Sequence, residues 1–313
     1  MRTRGFFFVS LVLLAVLCMA CTTNFDVTLD SMSPELVVDG IVTTDTTTHF
    51  VYLKKTGTYF SDQPAEVVSG ATVTLDDGQC TIALEENMAK RGTYHTPANY
   101  YGVVGRTYTL TIANVDINND GEKETYTASS TINAVPSVEK IEVDKEIVFY
   151  ENVWVVNVWM HDPASVSNYY LAKAFKNNVC LSDTITEWHV MSDYKINGVD
   201  LRKKTIMYLP STIKSEKIYR GDKVGLELCG ISKDYYGFIR EIKQESGVRN
   251  PLFGGQPANV RTNVKQILPL HATGNPGGYF VGLFHLPSPN GVQLKLQIAG
   301  TVLNEKRHIR CRG

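Results

Sequence analysis

The sequence predicts a mainly β fold of two β-sandwich-like domains, the second with one amphipathic helix packed on its sheet. Three observations carry that prediction. Short runs of alternating apolar and polar residues, fenced by Gly, Asp, Asn and Pro, recur along the chain, as half-buried antiparallel strands do. One segment, near residue 235, repeats its apolar residues at helical spacing. Finally, 313 residues exceed what one core usually serves, and the apolar-poor stretch Asn133-Ala-Val-Pro-Ser137 offers a place to divide them. A first, immunoglobulin-like domain is therefore expected over 34–133 and a second β-rich domain over 138–313.

In the first domain, residues 35–43 and 49–55 are the opening strands, with Gly40 a possible kink in the first. Residues 71–75, 80–84, 92–96, 106–112 and 125–132 complete a set of seven, and Asp76-Asp-Gly78 is a hairpin-type turn. Seven short strands in about 100 residues are what an immunoglobulin-like sandwich needs. The second domain opens with 138–150, 153–160 and 169–175, rich in Val, Ile, Tyr and Phe. Weaker strand patterns cover 185–191 and 205–209, and 223–231 is a strong one. A helix follows over about 232–246. Ser232 can cap it, Asp234 suits its positive first turn, and Gly247 can end it before Pro251. Tyr235, Phe238, Ile239 and Ile242 form its apolar stripe, while Arg240, Glu241, Lys243 and Gln244 face out. Residues 278–284 and 292–298 close the domain as strands.

The N-terminus assigns the compartment. Arg2 and Arg4 precede an apolar run from Phe6 to Leu17, too short for a comfortable membrane span but the right length for a signal-peptide core. The run ends in Leu17-Cys18-Met19-Ala20-Cys21, which resembles a lipobox, with Cys18 where Leu is usual. The expectation is a signal peptide over 1–20, a lipid-modified Cys21 as the anchor, and a polar tether over 21–33. Once Arg2 and Arg4 are cut away, the formal charge of −1 becomes −3, which leaves no basic excess for a nucleic acid partner. Cys80, Cys180, Cys229 and Cys311 remain in the mature body. An oxidising envelope permits disulfides among them in any of three pairings, and buried free thiols are the alternative.

Catalytic signatures are missing. The sequence has no GxSxG elbow, no HExxH and no phosphate-binding loop, and its seven histidines are scattered. His161-Asp162 is the most suggestive polar pair, and a turn in which Asp162 accepts backbone amides is its simpler reading. The loop Asp116-Ile-Asn118-Asn-Asp120-Gly121-Glu122-Lys-Glu124 places oxygens at positions one, three and five with Gly at six, as calcium loops do. Its twelfth position is Thr127, not the bidentate Glu of an EF-hand, and a solvated hairpin tip uses the same residues. No metal or cofactor is therefore assigned. The 16 tyrosines, several in adjacent pairs, suit contact surfaces but equally suit strands.

The N-terminal half resembles carboxypeptidase-regulatory-like sandwiches through Val68-Ser-Gly-Ala-Thr-Val-Thr-Leu75, Gly92-Thr-Tyr94 and Gly105-Arg-Thr-Tyr-Thr-Leu110. The second half carries Asp162-Pro163, Asn168-Tyr-Tyr170, Gly221-Asp-Lys-Val-Gly-Leu-Glu-Leu-Cys-Gly-Ile231, Tyr236-Gly-Phe-Ile-Arg240, Asn250-Pro-Leu-Phe253 and Asn263. With the lipobox, this order resembles the Bacteroidota lipoprotein family catalogued as domain of unknown function 4249. The chain departs from that pattern between Asn263 and Gly278, where Ile267–Pro276 stands as an insertion. The resemblance implies an outer-membrane lipoprotein, displayed on the cell surface in preference to the periplasmic face, beside a TonB-dependent receptor. The expected function is a non-enzymatic accessory or ligand-binding module for nutrient uptake. A structural or adhesive surface protein is the alternative, and a hydrolase a distant third. The family supplies no catalytic residues.

Overall fold

The computed structural model describes residues 33–57, 63–148, 150–164, 166–182, 184–209, 217–219, 221–247, 260–268, 276–285 and 296–297. The signal peptide, Cys21, the Asn250–Phe253 motif, Cys311 and most of the expected last strand lie outside them. The described residues from Pro34 onward pack as one compact unit, mainly β with a single helix among them.

Eight strands belong to the first half: β1 (Leu36–Thr43), β2 (Phe50–Lys55), β3 (Thr72–Asp76), β4 (Thr81–Ala83), β5 (Glu85–Glu86), β6 (Thr93–His95), β7 (Thr107–Val115) and β8 (Glu124–Thr131). The alternation in the sequence is the alternation of burial. Along β7, Tyr108, Leu110 and Ile112 point inward, and on β8 Tyr126 and Ala128 do the same. They meet Leu36, Val38, Val51 and Leu53 from β1 and β2 in one apolar core between two sheets. Two of the buried tyrosines have their hydroxyls bonded to backbone: Tyr108 accepts from the Val103 amide at 2.8 Å, and Tyr94 accepts from the Ala71 amide at 2.9 Å. The Asp76–Gly78 turn forms as expected, with Gly78 at φ +80° donating to Asp76 Oδ1.

The second half adds β9 (Val138–Val148), β10 (Glu151–His161), β11 (Tyr169–Lys176), β12 (Val179–Cys180), β13 (His189–Ser192), β14 (Asp200–Leu209) and β15 (Lys223–Ile231). Helix α1 (Lys233–Glu245) follows, then β16 (Val264–Leu268), β17 (Gly277–His285) and β18 (Leu296–Gln297). The sheet β14-β10-β9 packs Ile141, Val156, Met160 and Met207 against Tyr170, Ala172, Val224 and Leu226 of β11 and β15. The opposite face of β11 and β15 packs Leu171, Cys229 and Ile231 against Tyr235 and Ile239 of α1. Strand β15 is thus covered on both sides, which explains why its sequence reads as a nearly continuous apolar run.

The stretch 133–137 marks the change from one core to the next: Ile132 belongs to the first and Val135 to the second. One sheet nonetheless draws strands from both halves, in the order β12-β11-β15-β17-β1-β2-β6-β5. Its hinge is the parallel pairing of β1 with β17, Val38 opposite Gly278. Gly278 sits at φ +80°, and a Cβ there would lie 1.8 Å from the Val38 carbonyl oxygen, so only glycine fits. Gly40 does not kink β1; it leaves room for the rings and methyls of Phe280 and Val51.

Several element expectations are refined. Ser232 caps α1 by accepting from the Tyr235 amide at 3.1 Å, and Asp234 lies in the first turn. Ser246, not a left-handed Gly247, closes the helix by donating to Ile242. Tyr235 and Ile239 are its buried residues; Phe238 and Ile242 are only half-buried. Of the expected strand 185–191 only 189–191 is strand, in β13; 205–209 extends to β14; and β16 overlaps the stretch expected as an insertion only at Ile267 and Leu268.

Candidate functional site

Where the two cores meet, a half-open cleft of about 600 Å³ lies between the ends of β7 and β8, the 166–169 segment, and the β15–α1 junction. Its first wall is hydroxyl-rich because the outward positions of β7 and β8 are Thr and Ser, a consequence of strand alternation. Those hydroxyls pair across the strands, Thr107 with Thr131 at 2.7 Å and Thr109 with Ser129 at 2.9 Å. The second wall holds Asn168, whose backbone N–H donates to Asp193 Oδ2, and Tyr169, whose ring lies 5.1 Å from that of Tyr236. Tyr279 lines the cleft from β17, its ring centroid 4.9 Å from those of Tyr235 and Phe238. Burial raises the Tyr279 phenol above its ordinary range, so it serves as a neutral hydrogen-bonding group. Lys233 and Asp234, at the start of α1, are exposed at the rim and give it one charge of each sign.

Three consecutive residues hold these walls together. Arg261 bonds Glu241 of α1 through its backbone amide and its guanidinium, and Thr262 donates to the Gly278 carbonyl at 2.8 Å. Asn263 accepts from the Phe280 amide at 3.0 Å and donates to the Phe280 carbonyl at 2.7 Å and the Ser129 carbonyl at 3.0 Å. Strand β15 pairs with β17 only at Phe284 and His285, so Thr262 and Asn263 serve the β17 edge at 278–280 in place of a strand. The cleft was not legible in the sequence. In the sequence Asn263 stands out only by its place in a motif order, and a long-range side-chain-to-backbone clamp leaves no periodic signal.

The residues singled out from sequence fall elsewhere. Asp162 is fully buried and takes the Tyr170 hydroxyl on one oxygen and the Gly198 amide on the other at 3.4 Å. His161 is exposed at the end of β10, while Asp162 points inward and ties Tyr170 to the Gly198 turn. Cys80 is exposed, Cys180 is half-buried, and Cys229 is buried with its thiol pushed well above its ordinary range. The loop 116–124 joins β7 to β8 at an exposed hairpin tip, with Asp116 Oδ2 accepting from Gly121 at 3.1 Å. Among the described residues, no three His, Cys, Asp or Glu side chains converge as a metal group.

The family model for a domain of unknown function, DUF4249, matches residues 22–269. The chain belongs to the DUF4249 family. The DUF4249 match begins directly after Cys21 and ends one residue beyond β16, so it includes Arg261, Thr262 and Asn263 but not β17. Most of the DUF4249 cleft is inside the matched span; Tyr279 is the exception. No curated protein matches the chain.

Proposed function

We propose that this protein is a non-enzymatic ligand-binding lipoprotein of the cell envelope. It is held at the outer membrane of a Bacteroidota cell through Cys21 and assists a TonB-dependent nutrient transporter. The observation that carries the binding role is the cleft between the two cores. Its hydroxyl and amide lining, tyrosine rings and balanced rim charges suit a small polar ligand. The lipobox ending at Cys21 supports the anchor, and a position at the outer leaflet is the orientation in which the cleft meets nutrients. In this reading the first sandwich, with its facing sheets and bonded Tyr108, is a carboxypeptidase-regulatory-like domain that spaces the cleft from the membrane.

The test is affinity purification of the full chain from native membranes in mild detergent, with mass spectrometry of what accompanies it. Recovery of a TonB-dependent β-barrel at comparable abundance is expected, and repeated recovery of the protein alone refutes the accessory role. Cys21→Ala should abolish incorporation of labelled palmitate and release the protein from the membrane fraction. Label retained on that variant refutes the anchor.

A further inference from the structure

We propose that the loop between β7 and β8 is a calcium site, built by the carboxylates of Asp116 and Asp120, the side-chain oxygen of Asn118 and the main-chain oxygen of Glu122. The observation that points to a cation is one oxygen. Asp116 Oδ1 has under 1 Å² of exposed surface and no hydrogen-bond partner, the single buried side-chain polar atom of that kind among the described residues. A carboxylate oxygen can only accept, so burying it calls for a donor or a positive charge. The other oxygen, Oδ2, is already committed to the Gly121 amide at 3.1 Å. That bond ties Asp116 across the loop to Gly121, and Asn119 at φ +60° and Gly121 at φ +89° bend the chain between them. Oxygen-bearing residues therefore stand at the first, third and fifth positions of the bend, with glycine at the sixth.

Glu124 sets the strength of the site. It is buried and its Oε2 accepts from the Ile117 amide at 3.2 Å, so it pins the base of the loop and is not counted as a ligand. Two carboxylates remain, in keeping with the lack of any three-acid metal group among the described residues. Two charges plus an amide, a carbonyl and water place the affinity with extracellular calcium modules, at a Kd of about 10⁻⁴–10⁻³ M. Magnesium demands a tighter octahedron and gives up its water reluctantly, so an irregular hairpin favours calcium. The site is separate from the cleft and does not depend on the reading above.

The test is calorimetric titration of CaCl₂ into chelator-stripped, full-length mature protein, beside tryptic cleavage after the exposed Lys123 with and without calcium. One calcium per chain and slowed cleavage at Lys123 are expected. Asp116→Asn and Asp120→Asn should each weaken binding by at least about tenfold, while Glu122→Gln, which keeps the main-chain ligand, should bind as wild type. Asp120 is exposed, so its variant decides the matter if Asp116→Asn fails to fold. Absence of binding heat and of protection up to about 10 mM calcium, well above the expected Kd, overturns the proposal. So does equal weakening by Glu122→Gln, which would mean diffuse attraction to an acidic tip.

Discussion

Replacing Asn263 with Ala removes three hydrogen bonds, of 2.7 to 3.0 Å, at one stroke. Each is worth about 0.5–1.5 kcal/mol net, and the loss is deepened because Phe280 is fully buried and its amide would have no replacement partner. A total of about 2–4 kcal/mol follows, a large part of the roughly 5–15 kcal/mol that separates folded from unfolded. For a chain of this size that corresponds to a melting temperature lowered by about 5–10 °C. Asn263→Asp makes the sharper comparison. It keeps the acceptor for Phe280 but turns an oxygen toward the Ser129 and Phe280 carbonyls, so at neutral pH it should be at least as damaging as Ala. Urea unfolding and thermal melts monitored by circular dichroism give the global cost. Hydrogen exchange by mass spectrometry should show the amides around Phe280 losing protection first. If Asn263→Ala melts within about 1 °C of wild type, or Asp is tolerated as well as Asn, the clamp contributes nothing and the reasoning fails.

Two further outcomes follow from packing and titration. Ile239→Ala, at a fully buried helix position, should cost about 2–5 kcal/mol, whereas half-buried Phe238→Ala should cost less and exposed Arg240→Ala almost nothing, as read by urea midpoints. Burial on β13 and the nearby Lys243 ammonium hold His189 below its ordinary value of 6.5, so the folded state favours the neutral ring. The unfolded chain binds that proton first, so stability is full above about pH 6.5 and declines as pH falls from there to the lower folded value. His189→Gln should flatten that decline in midpoints measured between pH 7 and pH 5, and an unchanged slope would remove His189 as its source.

What the sequence made legible is what repeats. Alternation located most strands to within a few residues, because a half-buried strand must put apolar side chains at every second position, as Tyr108, Leu110 and Ile112 do. Helical spacing located α1, yet it ranked Phe238 with Ile239. A stripe wider than the contact does not say which of its members lies against the sheet. Very short pairings such as β5 and β12 carry too few residues for a period. The β1–β17 pairing and the Asn263 clamp join residues far apart in the chain, and nothing local in either partner names the other. The cleft inherits that opacity, since its walls are contributed by both halves.

The parallel partnership of β1 and β17 has a consequence for how the chain reaches its folded state. The first strand of the fold waits for one made some 240 residues later, an estimate from the register of Val38 and Gly278. Until then β1 presents a bare row of amides and carbonyls, the kind of edge that invites pairing with another copy. A fragment ending near residue 133 would keep that edge open permanently and lose Phe280 from its core. Such a fragment should associate with itself, although its own strands and turns are intact. Folding is in this sense a closing of the chain upon its beginning, slowed by the loop that must be spanned before the pairing rewards it.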